Sequence, residues 1–149
     1  MLSQKARYAL RALVELAREP EQGQLTASEL ATRADAPRKF LESILLELAR
    51  RGVVVSRRGK FGGYVLARAP ESITFAEVIR VIDGPLALAP CVSRTAFRKC
   101  HDCPSLETCT LRGALLMARD ATAAVLESYS LADATAGVGD APAILTASA

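Results

Sequence analysis

The chain has 149 residues, half of them apolar and 23% charged, which suits one domain or a small domain with an appendage and excludes a disordered chain. No apolar run approaches the roughly 18 residues of a membrane span, and the opening Met1-Leu2-Ser3-Gln4-Lys5 lacks a signal peptide's apolar core, so a cytoplasmic location without membrane contact is expected. The net charge of +3 hides an asymmetry: residues 1–68 carry 13 Lys and Arg against 7 Asp and Glu, and residues 69–149 carry 6 against 9. A basic first half is the footprint of a polyanion binder, although a merely solvated basic surface would give the same count.

Ser3 is a good N-cap for a first helix in which Leu2, Ala6, Leu10, Leu13, Val14 and Ala17 recur at helical spacing; Pro20 and Gly23 end it. Thr26-Ala27-Ser28-Glu29 reads as a capping box that opens a short second helix running to about Ala34. After an Asp35-Ala36 turn, Pro37 stands at the first position of a third helix. That helix has an apolar stripe of Phe40, Leu41, Ile44, Leu45 and Leu48, and Gly52 is its expected stop. Its opposite face carries Arg38, Lys39, Glu42, Ser43 and Glu47.

The period then changes. Val53-Val54-Val55 and Tyr64-Val65-Leu66 are strand-like runs flanking Arg57-Arg58-Gly59-Lys60-Phe61-Gly62-Gly63, a glycine-rich hairpin with a basic tip. Thr74 and Glu77 predict another capping box, for a fourth helix with Phe75, Val78, Ile79 and Ile82 that Gly84-Pro85 terminates. A long helix follows the cysteine loop from near Thr108 to about Tyr129, with Leu111, Leu115, Ala118, Thr122, Val125 and Tyr129 as a heptad seam. The expected fold is therefore mainly α with a small β-hairpin, a winged helix-turn-helix followed by a long C-terminal dimerisation helix. Its parts are a DNA-binding domain over 1–84, a cysteine-containing sensor loop over 85–109, the dimerisation helix over 110–131 and a flexible tail over 132–149.

In a helix-turn-helix the second helix of the pair enters the major groove with its N-terminal residues. Here those are Arg38, Lys39, Glu42 and Ser43. Arg can read guanine through two hydrogen bonds and a Glu carboxylate can accept from cytosine N4. Glu42 repels phosphate, so it requires a specific contact or neighbouring cations. Arg57, Arg58 and Lys60 on the hairpin would meet the phosphate backbone or a narrow minor groove, with Gly62 and Gly63 allowing a tight turn. Any one of these cations would serve equally well on a wet helix face or an ordinary turn. Their conjunction is the specific signal. The hairpin matches no Walker pattern and no helix follows it directly, which disfavours nucleotide binding.

These segments resemble the Rrf-type (IscR/NsrR-like) family of bacterial winged helix-turn-helix regulators. The resemblance rests on Ala6-Arg7-Tyr8-Ala9-Leu10-Arg11-Ala12-Leu13, on Phe40-Leu41-Glu42 and on the wing Arg58-Gly59-Lys60-Phe61-Gly62-Gly63-Tyr64-Val65-Leu66, and it covers about residues 1–130. It implies a homodimer built on the long helix, a pseudo-palindromic double-stranded DNA operator, Glu42 on the base-reading surface, Arg58 in the minor groove, and repressor-type transcription control.

All four cysteines fall in one stretch: Cys91, Cys100, Cys103 and Cys109. Such clustering favours metal or redox chemistry over a disulfide framework, and thiolates are preferred ligands of iron–sulfur clusters and bind zinc well. The helix expected from Thr108 would put Cys109 at a helix N-terminus, where thiol pKa falls. His101, inside the Cys100–Cys103 spacer, reads as solvated rather than ligating. The resemblance implies a cluster held by three loop cysteines and one other ligand, with Cys91, Cys103 and Cys109 in the three places. Two departures matter: the histidine some members carry after the last cysteine is Arg112 here, and the acidic ligand of others falls at Arg7. Cys100 is then the expected fourth ligand. An iron–sulfur cluster, 2Fe–2S ahead of 4Fe–4S, is favoured over a thiol/disulfide switch, and both over zinc, which usually takes two close cysteine pairs. The expected role is a sensor of iron–sulfur, redox or nitric oxide status. An enzyme is disfavoured, since no βαβ unit accompanies the single CxxC. A metal-storage or assembly module would show no salt-dependent DNA binding.

Overall fold

The protein is seen here as a computed structural model that describes residues 2–19 and 23–137. Helix α1 spans Gln4–Arg18, and the Ser3 hydroxyl accepts from the Ala6 N–H as its cap. The Pro20 stop lies outside the described residues. Helix α2, Ala27–Arg33, begins at a complete capping box, Thr26 with Glu29. Asp35 turns the chain through a left-handed conformation (φ 49°) into α3, Arg38–Arg50. Pro37 is the N-cap of α3 rather than its first helical residue; its missing N–H costs nothing there.

The core lies where α1, α2, α3 and a fourth helix, α4 at Phe75–Ile82, meet. Leu13, Leu30, Leu41, Ile44, Leu45 and Leu48 are fully buried. Phe40 departs from the predicted stripe: it is exposed and meets Tyr8 of α1 edge to face at 6.0 Å. Strands β1, Val54–Arg57, and β2, Gly63–Leu66, pair antiparallel with Val54 opposite Leu66 and Arg57 opposite Gly63. Leu25 adds a third, one-residue strand by exchanging both backbone hydrogen bonds with Tyr64. This explains Gly63: a Cβ there would stand 2.7 Å from the Leu25 carbonyl oxygen. At Gly62 it would stand 2.7 Å from that of Arg57, so both glycines serve close approach rather than turn conformation.

Helix α4, Phe75–Ile82, is capped by the Thr74 hydroxyl, but the predicted capping box is only half made. The Glu77 carboxylate pairs with Arg68 instead of reaching back to the cap. Helix α5, Arg112–Ser128, is shorter at both ends than expected, and Ala123 is its one fully buried residue. The predicted seam divides: Leu115, Ala118 and Tyr129 are half-buried against their own chain, whereas Leu111, Thr122 and Val125 face outward.

The boundary expected at 131/132 is not where the chain changes character. A capping box of Ser130 and Asp133 starts α6, Leu131–Thr135, and Leu131 is fully buried in the core, packed with α1. The Phe75 N–H donates to the Tyr129 carbonyl and the Leu131 N–H to the Ile73 carbonyl, each at 2.9 Å. These bonds tie the end of α5 back to the winged-helix domain. Residues 138–149 of the expected flexible tail lie outside the described residues.

Candidate nucleic-acid interface and thiol site

Because α3 begins at Arg38, the side chains of Arg38 and Lys39 sit on the first turn behind the α2–α3 corner, and both are exposed. Arg38 Nε donates to Glu42 Oε1 at 3.0 Å. This is the neighbouring cation that Glu42 required. Ser43 is exposed and its hydroxyl donates to the Phe40 carbonyl at 2.7 Å. Arg57, Arg58 and Lys60 are all exposed on the hairpin. Among the described residues, Lys39, Arg57, Arg58 and Lys60 have no carboxylate within ion-pair distance, unlike Lys5, Arg33, Arg68, Arg80 and Arg94. An unneutralised cation is what a phosphate contact needs. One residue at this surface was not singled out in the sequence: Phe61, 81% exposed beside Lys60.

The four cysteines line one cavity of about 360 Å³ together with Asp102, Ser105 and Leu115. All are reduced; Cys91 is buried and the other three are partly so. They interact in two pairs. Cys91 faces Cys100, and this contact and burial push the Cys91 thiol up. Cys103 faces Cys109; burial foremost, and then Cys109, push the Cys103 thiol up, and its Sγ donates to the Ser105 carbonyl at 3.1 Å. Cys109 moves the other way. The helix starts three residues after it, and the nearby Leu111 backbone N–H foremost, then the Arg112 N–H, Cys103 and the Arg112 charge, hold its thiol below the ordinary range. Among the described residues, no three thiol, imidazole or carboxylate groups converge tightly enough for a single metal ion.

His101 is exposed and does not line the cavity. Arg7 is exposed on α1. Arg112 acts as a cation beside Cys109, and its Nε is buried without a partner. Cys91 lies in the short 3-10 turn Pro90–Val92, which Arg119 of α5 grips through the Val92 carbonyl at 2.7 Å. Arg119 and Arg94 share the Asp120 carboxylate, so the loop and α5 are joined by one charged network. This network is invisible to spacing because its partners are far apart in the chain.

A helix pair with a cationic leading turn, followed by a slender cationic hairpin, defines a winged-helix regulator that binds DNA. Residues 2–137 match the family model Rrf2, described as an iron-dependent transcriptional regulator. An rrf2-like HTH-type transcriptional regulator of Rhodobacter capsulatus is 41% identical over 97% of this chain and 99% of its own. The regulator NsrR of Halalkalibacterium halodurans is 30% identical over 93% of this chain and 92% of its own. Among solved structures, CymR of B. subtilis, described as its global cysteine regulator, superposes with a TM-score of 0.74 at 30% identity, covering 91% of this chain and 96% of that one. IscR of T. potens gives 0.69 at 26% identity, covering 90% and 85%. The chain belongs to the Rrf2 family of transcriptional regulators; its relatives are regulators and not enzymes. No described helix is long and apolar enough to cross a membrane.

Proposed function

We propose that this chain is a dimeric regulator that reads a two-fold operator and reports iron–sulfur or redox status through a cluster held by Cys91, Cys100, Cys103 and Cys109. The observation that carries the reading is that all four thiols line one cavity. A 2Fe–2S cluster asks for two thiolates at each iron, so the donor set fits it better than it fits a single zinc ion. When bound, the cluster supplies one-electron chemistry and sensitivity to oxidants or nitric oxide. Cys109, whose thiol the neighbouring backbone N–H groups hold below the ordinary range, is the readiest ligand. Arg119 carries any displacement of the Cys91 turn to α5.

Exposed apolar residues on and beside α5 support this route. Leu111, the N-cap of α5, and Met117 and Val125 within it are 67%, 75% and 45% exposed, an apolar face that a second copy would cover. A shift of α5 would then change the setting of the two heads, and half-sites about one helical turn apart make affinity sensitive to that setting. Arg38 and Glu42 are assigned to base edges, Lys39 and Ser43 to the groove wall, and Arg57, Arg58 and Lys60 to the backbone and minor groove.

Anaerobic purification tests the cluster. Visible charge-transfer absorption and acid-labile sulfide are expected, and both should fall sharply in C103S. If neither is present, the cluster reading is overturned. The facing pairs would then favour the second reading, a thiol switch. In it each pair gives up two protons and two electrons to a peroxide-class oxidant and forms a disulfide, with the Cys109 thiolate attacking first. Loss of free thiols on peroxide addition would distinguish it.

A further inference from the structure

Phe61 is used neither by the core nor by the thiol site. It is 81% exposed, more than Met117 at 75% or Leu88 at 71%. Leaving a phenylalanine in water forgoes roughly 1.5–3 kcal/mol of burial, so its place in the fold matters.

That place is the apex of the wing. Strand β1 ends at Arg57 and β2 begins at Gly63. Between them the Gly62 N–H donates to the Gly59 carbonyl at 2.9 Å, closing a four-residue turn with Lys60 and Phe61 at its two corners. Gly59 has φ +115°, a conformation side chains rarely adopt, and a Cβ at Gly62 would strike backbone. The tip is therefore a tight, narrow turn with one aromatic ring at its end. Lys60 Nζ lies 5.8 Å from the ring centroid, and Arg57 and Arg58 stand at the hairpin's neck.

We infer that Phe61 is an apolar wedge that enters the minor groove of duplex DNA and loosens one base step. This rests on the DNA-binding reading of the wing and adds a recognition element to it. The occupant follows from charge: an apolar ring ringed by unneutralised cations suits a polyanion with an apolar interior, and a second copy of this basic wing would repel it. The minor groove, about 6 Å wide, admits an edge-on ring on a slender turn, and apolar wedges between base steps are an established way to kink DNA. The cations supply the sequence-independent grip. Phe61 supplies preference for a step that unstacks easily, such as pyrimidine–purine.

The test uses the full-length protein and a duplex recovered by selection from random-sequence DNA, in wild type, F61A, F61Y and R58A. F61A should weaken binding roughly tenfold, the fold-change expected for losing one buried ring, while leaving the slope of affinity against salt unchanged. R58A should make that slope shallower by about one. F61Y should bind within about threefold of wild type, since the ring is kept. A 2-aminopurine placed at the contacted step should brighten with wild type and F61Y but not with F61A. Unchanged thermal melting of F61A will show that the wing still folds. If F61A matches wild type in affinity and 2-aminopurine signal while R58A is weakened, the wedge is overturned and the DNA-binding reading stands. If wild type itself shows no salt-dependent binding, that reading falls and the wedge falls with it.

Discussion

The Arg119 guanidinium donates to the backbone carbonyl of Val92 at 2.7 Å, one residue from Cys91. Its side chain is only 13% exposed, and its other nitrogens hold Asp120. Val92 is fully buried, so truncating the arginine strands a carbonyl that water reaches poorly. Replacing Arg119 with Ala should cost about 1.5–3 kcal/mol, the range for a hydrogen bond to a charged group. Replacement with Lys should recover part of that, without the forked geometry. Urea denaturation measures both. An R119A midpoint equal to that of the parent would show that the loop and α5 are not coupled through this contact.

Arg38 and Glu42 form an exposed pair at i,i+4, so neither R38A nor E42A should move stability by more than about 0.5 kcal/mol. Their effects on DNA should differ in kind. R38A is expected to weaken operator binding by about 1–3 kcal/mol and relax specificity at the base pair it reads, with the salt slope little changed. E42A removes a negative charge from a phosphate-facing surface, so its overall affinity should hold or rise. Discrimination at one base pair should meanwhile shrink by about 1–3 kcal/mol. Binding to a panel of single-base operator variants resolves the two, and an E42A profile as sharp as the parent's would remove Glu42 from the base-reading set.

Acid should weaken the two capping boxes. The Thr26 backbone N–H and then its hydroxyl hold the Glu29 carboxyl below its usual range; the Ser130 hydroxyl and then its backbone N–H do the same for Asp133. A carboxylate whose folded pKa is depressed binds fewer protons folded than unfolded. Its contribution is therefore present above the ordinary carboxylate pKa of about 4 and is lost as pH falls through the folded value. E29Q and D133N should be less stable than the parent near neutral pH, and the difference should narrow toward about pH 3. Urea midpoints across that range check it; a gap that stays constant would mean the carboxylates are not the groups responsible.

Much of the fold was legible because its signals are local. Ser3, Thr26 and Thr74 each sit immediately before an apolar-periodic run and each caps a helix, and the change of period at Val53 marks the wing. What was not legible depends on distant partners. Glu77 satisfies the spacing of a capping box yet turns to Arg68, a donor nine residues back that spacing alone does not weigh. Helix α6 was hidden by composition: Ala, Asp and Thr read as a polar tail, whereas Leu131 is anchored in the core and backbone bonds to Ile73 and from Phe75 hold the segment, independent of side chain. The Ser130-x-x-Asp133 box was the available clue. At the thiol site, clustering in sequence pointed to one cavity. The pairing of Cys91 with Cys100 and Cys103 with Cys109 arises from the loop's path, which no spacing specifies.

The wing's register can be tested at Gly63. Its N-terminal neighbour Gly62 meets the backbone of its own turn, but Gly63 meets another segment: a Cβ there would lie 2.7 Å from the Leu25 oxygen and 3.1 Å from the Gln24 side chain. The side chain can swing aside; the carbonyl cannot, because Leu25 exchanges hydrogen bonds of 3.1 and 2.8 Å with Tyr64. Substituting Ala at Gly63 must therefore push the Leu25 strand away from β2, at a cost of about 1–3 kcal/mol, typical of overpacking against backbone. Ala at Gly113, where an added Cβ meets nothing within 4 Å, should instead be neutral or stabilising by up to about 1 kcal/mol, since it lies within α5. Hydrogen exchange provides the local readout, with the Tyr64 amide losing protection in G63A while the α3 amides keep theirs. Retained Tyr64 protection in a destabilised G63A would show that the Leu25 bridge does not set the position of the wing.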